Sequence, residues 1–316
     1  MTSTESSFIP TVDVRDPKAV EIISKVSRDV GFFYLVGHGL SEEEIDSVFN
    51  ESKALFALSV DEKTKLSDKS LSRGYTAMQE QTFSASKQTE GDTKEGYYIG
   101  RDIPMDHPKY NPAKLSGPNQ WPDPSKLPNF QRIMTDFHTK TNDLAVRVVR
   151  LIALGLGLEE SHFDEAFEDS IATLRLIHYD QRKSDPDQGI FACGAHSDFG
   201  IVTLLLTDHN PGLQIYYQDE WIDVPPKAQA FVINIGDMLE LWTNGLYKST
   251  IHRVLTKGDG ERYSIPFFLD PKFDAIIKCL DCCTDEDSPP KYRPTTAGEY
   301  LLSRLAGTHT DFVIKK

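Results

Sequence analysis

Cysteine is scarce in this chain: four in 316 residues, Cys193, Cys279, Cys282 and Cys283. Four so bunched cannot form the disulfide scaffold of a small secreted domain. Long apolar runs are missing as well, and none approaches the ~18–20 residues needed to cross a bilayer. Positive charge is in deficit, with 34 Lys and Arg against 48 Asp and Glu, a net charge of −14. Such a surface repels phosphate backbones and anionic lipid, which argues against nucleic acid or a membrane as partner. The opening MTSTESSFIP has neither the basic start nor the apolar stretch of a secretory signal. No internal repeat or low-complexity tract occurs. What the chain does hold is 39% hydrophobic residues, with 17 Phe and 12 Tyr, enough for a sizeable core. The expectation is a cytoplasmic globular monomer, with the nucleus also open to it.

The two halves of the sequence differ in period. In the first, Asp16-Pro17 predicts a helix start, and Val20, Ile23, Val26 and Val30 recur at helical spacing up to Gly31. Phe32 to Val36 is a short β-type run. Ser41 with Glu44 is a capping box for a second helix, with Ile45, Val48, Phe49, Ser52 and Phe56 on one face. Residues 82–96 are polar and predict a loop, a candidate lid over a site. Seven prolines between Asp102 and Pro128 exclude long regular elements there. A long helix is predicted over 129–156, with Ile133, Phe137, Leu144, Val148 and Ile152 buried. Beyond Ser170, short apolar runs at β spacing take over (ATLRLIHY, GIVTLLL, LQIYY, AFVINIG, STIHRVL, RYSIPFFL), separated by turn signals such as Asn210-Pro211-Gly212. Strands so spaced predict a sandwich or barrel. One helix interrupts them, expected to be capped by Asp237 with Glu240 and to end at Asn244-Gly245. The division expected is a helical N-terminal region over 1–168, a β core over 169–272 and a C-terminal extension over 273–316.

Within the β core, His196-Ser197-Asp198 precedes an apolar run, and i, i+2 spacing on a strand would bring imidazole and carboxylate to one face. His252 lies in Ser249-Thr250-Ile251-His252-Arg253-Val254, where alternation sets Thr250, His252 and Val254 on one side. Two histidines and a carboxylate on adjacent strands make a three-ligand face with open positions opposite, the arrangement of non-haem Fe(II) oxygenases. Arg262 and Ser264 share a strand face ten residues on, a guanidinium fork beside a hydroxyl suited to a carboxylate. Two further H-x-D pairs compete. His178-x-Asp180 runs into a polar strand end, and His309-x-Asp311 has no later histidine to complete it.

These residues resemble the 2-oxoglutarate- and Fe(II)-dependent dioxygenases of the isopenicillin N synthase-like group, often labelled iron/ascorbate-dependent oxidoreductases. The segment from Asp29 to Gly39 (DVGFFYLVGHG), Gly189 to Gly200 (GIFACGAHSDFG) and Asn234-Ile235-Gly236-Asp237 are similar to that group's motifs, so the likeness covers nearly the whole chain. It implies an α+β fold with a double-stranded β-helix (jelly-roll) core flanked by helices. It also implies Fe(II) on His196, Asp198 and His252, 2-oxoglutarate as cosubstrate held by Arg262, Ser264 and Tyr179, and ascorbate as an auxiliary reductant. The reaction implied is O2-dependent hydroxylation, demethylation or desaturation of a small molecule, with release of succinate and CO2. One departure stands out: many plant members carry N-Y-Y-P before H-x-D, whereas here Ile177-His178-Tyr179-Asp180 puts isoleucine where the asparagine would be. Two alternatives share the motifs: an Fe(II) oxidase without 2-oxoglutarate, and a scaffold with a lapsed site.

Other residues are read more plainly. Asp237 and Glu240 are expected to be structural, and His38 to be a turn or packing residue. Cys279-x-x-Cys282-Cys283 lacks the second pair a zinc site needs. Gly155-Leu156-Gly157 is a helix end. Arg175 shares a strand face with Tyr179, which leaves a pocket role and a structural ion pair equally open. Phe199, Phe268, Tyr97 and Tyr98 are candidates to line a substrate pocket.

Overall fold

Local signals begin and end most elements of the computed structural model, which describes residues 8–83 and 87–308. Strand β1 (Thr11–Asp13) leads to helix α1 (Ala19–Asp29), which starts later than Asp16-Pro17 suggests. The Asp16 carboxylate accepts from the Lys18 amide at 2.8 Å, closing a turn ahead of the helix rather than capping it. Gly31, at φ 68°, turns the chain into β2 (Phe32–Val36), and a Cβ there would lie 2.1 Å from the Lys248 carbonyl oxygen. Only glycine fits such a turn at so close an approach. Helix α2 (Glu42–Phe56) carries the Ser41–Glu44 capping box, and its five predicted apolar-face residues are buried. A short α3 (Val60–Thr64) is boxed the same way by Ser59 and Glu62.

The hairpin strands β3 (Ser67–Asp68) and β4 (Arg73–Thr76) precede β5 (Lys94–Ile99), whose first residues fall inside the loop expected over 82–96. Polarity misleads here because each buried charge has a partner. Lys94 pairs with Asp92, while Glu95 accepts from Lys63, Tyr75 and the His178 ring. Three residues of the expected lid, 84–86, lie outside the described residues, as does His309-x-Asp311. The proline-rich stretch holds a 3-10 turn at Pro112–Lys114 and isolated bridges. Helix α4 (Phe130–Gly155) packs against α1, α2 and the large sheet, with its predicted stripe buried except for the half-buried Ile133; α5 (Asp164–Phe167) follows.

The remaining strands are β6 (Ile171–Tyr179), β7 (Cys193–His196), β8 (Val202–Thr207), β9 (Leu213–Tyr217), β10 (Glu220–Asp223) and β11 (Phe231–Ile235). After α6 (Asp237–Trp242) come β12 (His252–Val254), β13 (Arg262–Asp270), the small pair β14 (Ile276–Ile277) and β15 (Thr295–Thr296), and helix α7 (Ala297–Thr308). Two sheets result, in the orders β1-β2-β11-β8-β13-β6-β5-β4-β3 and β10-β9-β12-β7. They close a double-stranded β-helix, and the helices cover the larger sheet. Strands from the N-terminal half extend that sheet on both sides, so the region read mainly as helical also builds the wall of the core. No helix among the described residues is long and apolar enough to cross a membrane.

Candidate active site

A cavity opens between the two sheets. Strands β12 and β7 pair antiparallel with His252 directly opposite His196, which brings the two imidazoles to 4.3 Å between ring centroids. Asp198 reaches them by a different route from the one expected. Strand β7 ends at His196, so Asp198 lies in the turn before β8 and not two residues along one strand. Its Oδ1 sits 3.7 Å from each histidine Nε2. One donor atom from each of the three falls within 4.8 Å of the others, a spacing that could hold a metal ion.

The surrounding hydrogen bonds aim these donors. His196 Nδ1 is 2.8 Å from the Gly194 carbonyl oxygen and His252 Nδ1 is 3.1 Å from that of Thr250. Protons held on Nδ1 leave both Nε2 lone pairs facing the centre. Thr203 Oγ1 (2.5 Å) and Asn234 Nδ2 (2.7 Å) both donate to Asp198 Oδ2, which leaves Oδ1 free. Burial holds both histidines below their usual pKa, His252 at about 4. Burial alone would raise Asp198, but the two imidazoles and its two hydrogen-bond donors hold it low. Neutral imidazoles beside an ionised carboxylate are the protonation states a divalent cation requires. Thr203 and Asn234 were missed in the sequence; a threonine and an asparagine inside buried apolar runs were the available signal.

At one end of the cavity, Arg262 stands across from Tyr179 in the β13–β6 register, with its guanidinium 4.8 Å from the tyrosine ring centroid. Nε donates to the Asn210 carbonyl at 3.3 Å, while the buried Nη1 has no partner. Ser264 Oγ lies 3.3 Å from the Tyr179 hydroxyl, and Ile177 lines the wall beside them. His178, on the other face of β6, bonds Glu95 instead.

The rest of the lining comes mostly from residues that carry no motif. Phe83 stacks on the His196 ring at 4.1 Å and 14°, with Lys94 Nζ 4.6 Å from its own centroid. Arg175, buried on β6, makes no ion pair among the described residues; its Nη2 donates to Gln81 Oε1 at 2.9 Å and its guanidinium lies 4.5 Å from the Tyr98 ring centroid. Phe199 and Phe268 line the cavity, and so do Leu301 and Leu305 of α7. Tyr97 does not. Strand alternation turns it to the far side of β5, where it is fully buried against Phe130 and its hydroxyl bonds the Gln120 carbonyl. Asp270, at the end of β13, also faces the cavity; burial, with Asp198 adding to it, pushes its carboxyl up to about 7.

The structural residues hold the frame. The N-cap of α6 is Gly236, not Asp237. Asp237 and Glu240 accept instead from the Ser249 hydroxyl and amide, both at 2.6 Å, and so fix the approach to His252. His38 bonds the Gln229 carbonyl and the Leu40 amide within a turn. Cys279 bonds Asn244, and all four cysteines are free thiols.

Residues 170–271 match the model of the 2OG-Fe(II) oxygenase superfamily, and residues 9–124 match that of the non-haem dioxygenase in morphine synthesis N-terminal region. The 2-oxoglutarate-Fe(II) type oxidoreductase hxnY of Emericella nidulans is 38% identical over 306 residues, covering 94% of this chain and 86% of that one. Kihadalactone A synthase LFS of Citrus sinensis is 35% identical, covering 96% and 92%. Among solved structures, a full-length Neurospora crassa protein in complex with alpha-KG superposes with a TM-score of 0.83 at 30% identity, covering 96% of this chain and 98% of that one.

Proposed function

Because the chain belongs to the 2OG-Fe(II) oxygenase superfamily and is a 2-oxoglutarate-dependent dioxygenase, we propose that it oxidises a small organic molecule held between Phe83, Phe199, Phe268 and Arg175. The outcome is hydroxylation, demethylation or desaturation, with succinate and CO2 released. His196, Asp198 and His252 would hold Fe(II). The donor set fits the ion, since two neutral imidazoles and one carboxylate form the facial triad of non-haem Fe(II) oxygenases. When bound, the ion supplies O2 activation coupled to decarboxylation of the cosubstrate.

The chain's own groups do the rest. Arg262 receives the distal carboxylate of 2-oxoglutarate through Nη1, helped by the Ser264 and Tyr179 hydroxyls. Asn234 and Thr203 keep Asp198 turned toward the ion. The apolar walls exclude water and orient the substrate. The observation that carries this reading is the unpartnered, buried Arg262 Nη1 in the same cavity as the triad. A buried cation is costly without an anion, and the cosubstrate provides one. That charge also favours 2-oxoglutarate use over an oxidase that dispenses with it. The cavity is complete within one chain, which supports a monomer, and the free thiols support a reducing, cytoplasmic setting.

The test measures iron bound under anaerobic conditions and succinate released in air with Fe(II), ascorbate and 2-oxoglutarate. The expected result is about one iron per chain and steady uncoupled succinate, both lost in His196→Ala. Full succinate release by that variant would refute the assignment.

A further inference from the structure

Charge inside the cavity is the reverse of charge on the surface. The chain carries −14 overall, yet the cavity wall holds Arg73, Lys94, Arg175 and Arg262 against Asp198 and Asp270. Lys94 is neutralised by Asp92, and Arg73 is held by the carbonyls of Leu71, Ser72 and Leu115. Arg262 is accounted for by the cosubstrate. Arg175 is not.

Arg175 is 4% exposed, and among the described residues no carboxylate lies within ion-pairing distance of it. Among the described residues its hydrogen bond goes to Gln81 through Nη2, and its buried Nε has no partner. Gln81, itself buried, turns its Oε1 to Arg175, so its amide nitrogen is the donor that side chain has to offer a ligand. The place for the guanidinium is built: Tyr98 covers one face, and at Gly96 any Cβ would come within 2.9 Å of Nε. A guanidinium stays charged at any physiological pH, so this arrangement buries an unmatched positive charge. One 2-oxoglutarate cannot match it as well. Arg175 stands four residues along β6 from Tyr179, the partner of Arg262, a separation of about 13 Å at ~3.3 Å per residue.

We propose that the primary substrate is a carboxylate, and that Arg175 and Gln81 clamp its anionic end further along the same sheet from the cosubstrate's arginine. This rests on the function proposed above. A carboxylate offers two acceptor oxygens to the paired donors of Arg175 Nη1 and Gln81 Nε2, an arrangement whose charge-assisted bonds are about twice as strong as neutral ones. The aromatic rings of Phe83, Phe199 and Phe268 would then hold the apolar remainder near the triad.

Benzoate and its neutral isostere benzamide are the probes, titrated calorimetrically into protein loaded anaerobically with Fe(II) and 2-oxoglutarate. The visible charge-transfer band of the iron–cosubstrate chelate is recorded in parallel. Wild type is expected to favour benzoate over benzamide by about tenfold or more. R175Q should erase that preference. Q81L, which leaves the buried charge in place, should weaken benzoate about threefold to tenfold and serves if R175Q does not fold. Equal binding of the two probes, no benzoate binding by wild type, or unaltered binding by R175Q and Q81L would overturn the proposal. Loss of the chelate band in R175Q would assign that arginine to the cosubstrate and also overturn it. Absence of the band in wild type would sink the 2-oxoglutarate reading instead, while a benzoate preference abolished by R175Q would still stand.

Discussion

The two walls of the cavity are built from different material. The first draws on both sheets and holds His196 and His252, and facing them Tyr179, Arg262 and Ser264, on paired strands whose register fixes each side chain against its neighbour. On the other, Gln81, Phe83 and Tyr98 come from β5 and the segment before it, while Leu301 and Leu305 come from the last helix. The first wall depends on ladder hydrogen bonds deep in the core, where a shift of one residue would turn every ligand to the wrong face. The second joins the ladder only at β5, which pairs with β6, while Gln81, Phe83 and α7 lie outside the paired strands and can change without disturbing them. On the function proposed above, chemistry belongs to the first wall and selectivity to the second.

The sharpest way to break this division is at Arg262. Removing one partner of a buried ion pair costs about 3–5 kcal/mol, so Arg262→Gln should raise the KM for 2-oxoglutarate by roughly two to three and a half powers of ten. Iron content should stay near that of wild type, because the triad is on other strands. Steady-state succinate release against 2-oxoglutarate concentration measures the first effect and metal analysis the second. An unchanged KM would move cosubstrate binding off this strand, and the contrast between the walls would fail.

Asn234 gives a smaller effect and a test of precision rather than presence. Its amide and the Thr203 hydroxyl both hold Asp198 Oδ2. Loss of such an outer partner typically weakens metal binding by about 10–100-fold. Asn234→Ala should therefore lower Fe(II) affinity within that range, read by competition with a chelator, and leave the KM for 2-oxoglutarate close to wild type once iron is saturating. An affinity equal to wild type would mean that Thr203 alone orients the carboxylate.

The first wall was legible in the sequence and the second was not, for a physical reason. His196, Asp198, His252, Arg262 and Ser264 are polar residues at fixed spacing beside apolar strands, where burial demands a partner and so advertises a site. Even there the local geometry was misjudged: Asp198 reaches the histidines from a turn, which i, i+2 alternation does not foresee. Thr203 and Asn234 gave the same signal more faintly. Phe83 and Lys94 lie in a stretch whose polarity reads as a solvated loop, because the Glu95–Lys63 and Glu95–His178 pairs that allow its burial depend on contacts distant in sequence. Tyr97 and Tyr98 could be told apart only once β5 was known to be a strand. The role of α7 in closing the cavity depends on its docking, which no motif encodes.

The weakest expected effect falls at Asp270, which shares strand β13 with Arg262 but lies at its other end. Burial, reinforced by Asp198, raises its carboxyl from 3.8 to about 7. Below about pH 4 the group is protonated in both folded and unfolded chains and costs nothing. Between about pH 4 and 7 the folded protein keeps a proton that the unfolded chain gives up, so stability falls as pH rises, and the loss is complete above about 7. Asp270→Asn removes the titration. In metal-free protein, the melting temperature of the variant should therefore gain on wild type from pH 4 to pH 8, by about 2–4 °C for each kcal/mol involved. With Fe(II) bound, the cation offsets the charge of Asp198 and the gain should shrink. A gap that stays constant with pH would mean that Asp270 is ionised throughout, and that the triad's field does not reach the end of the strand.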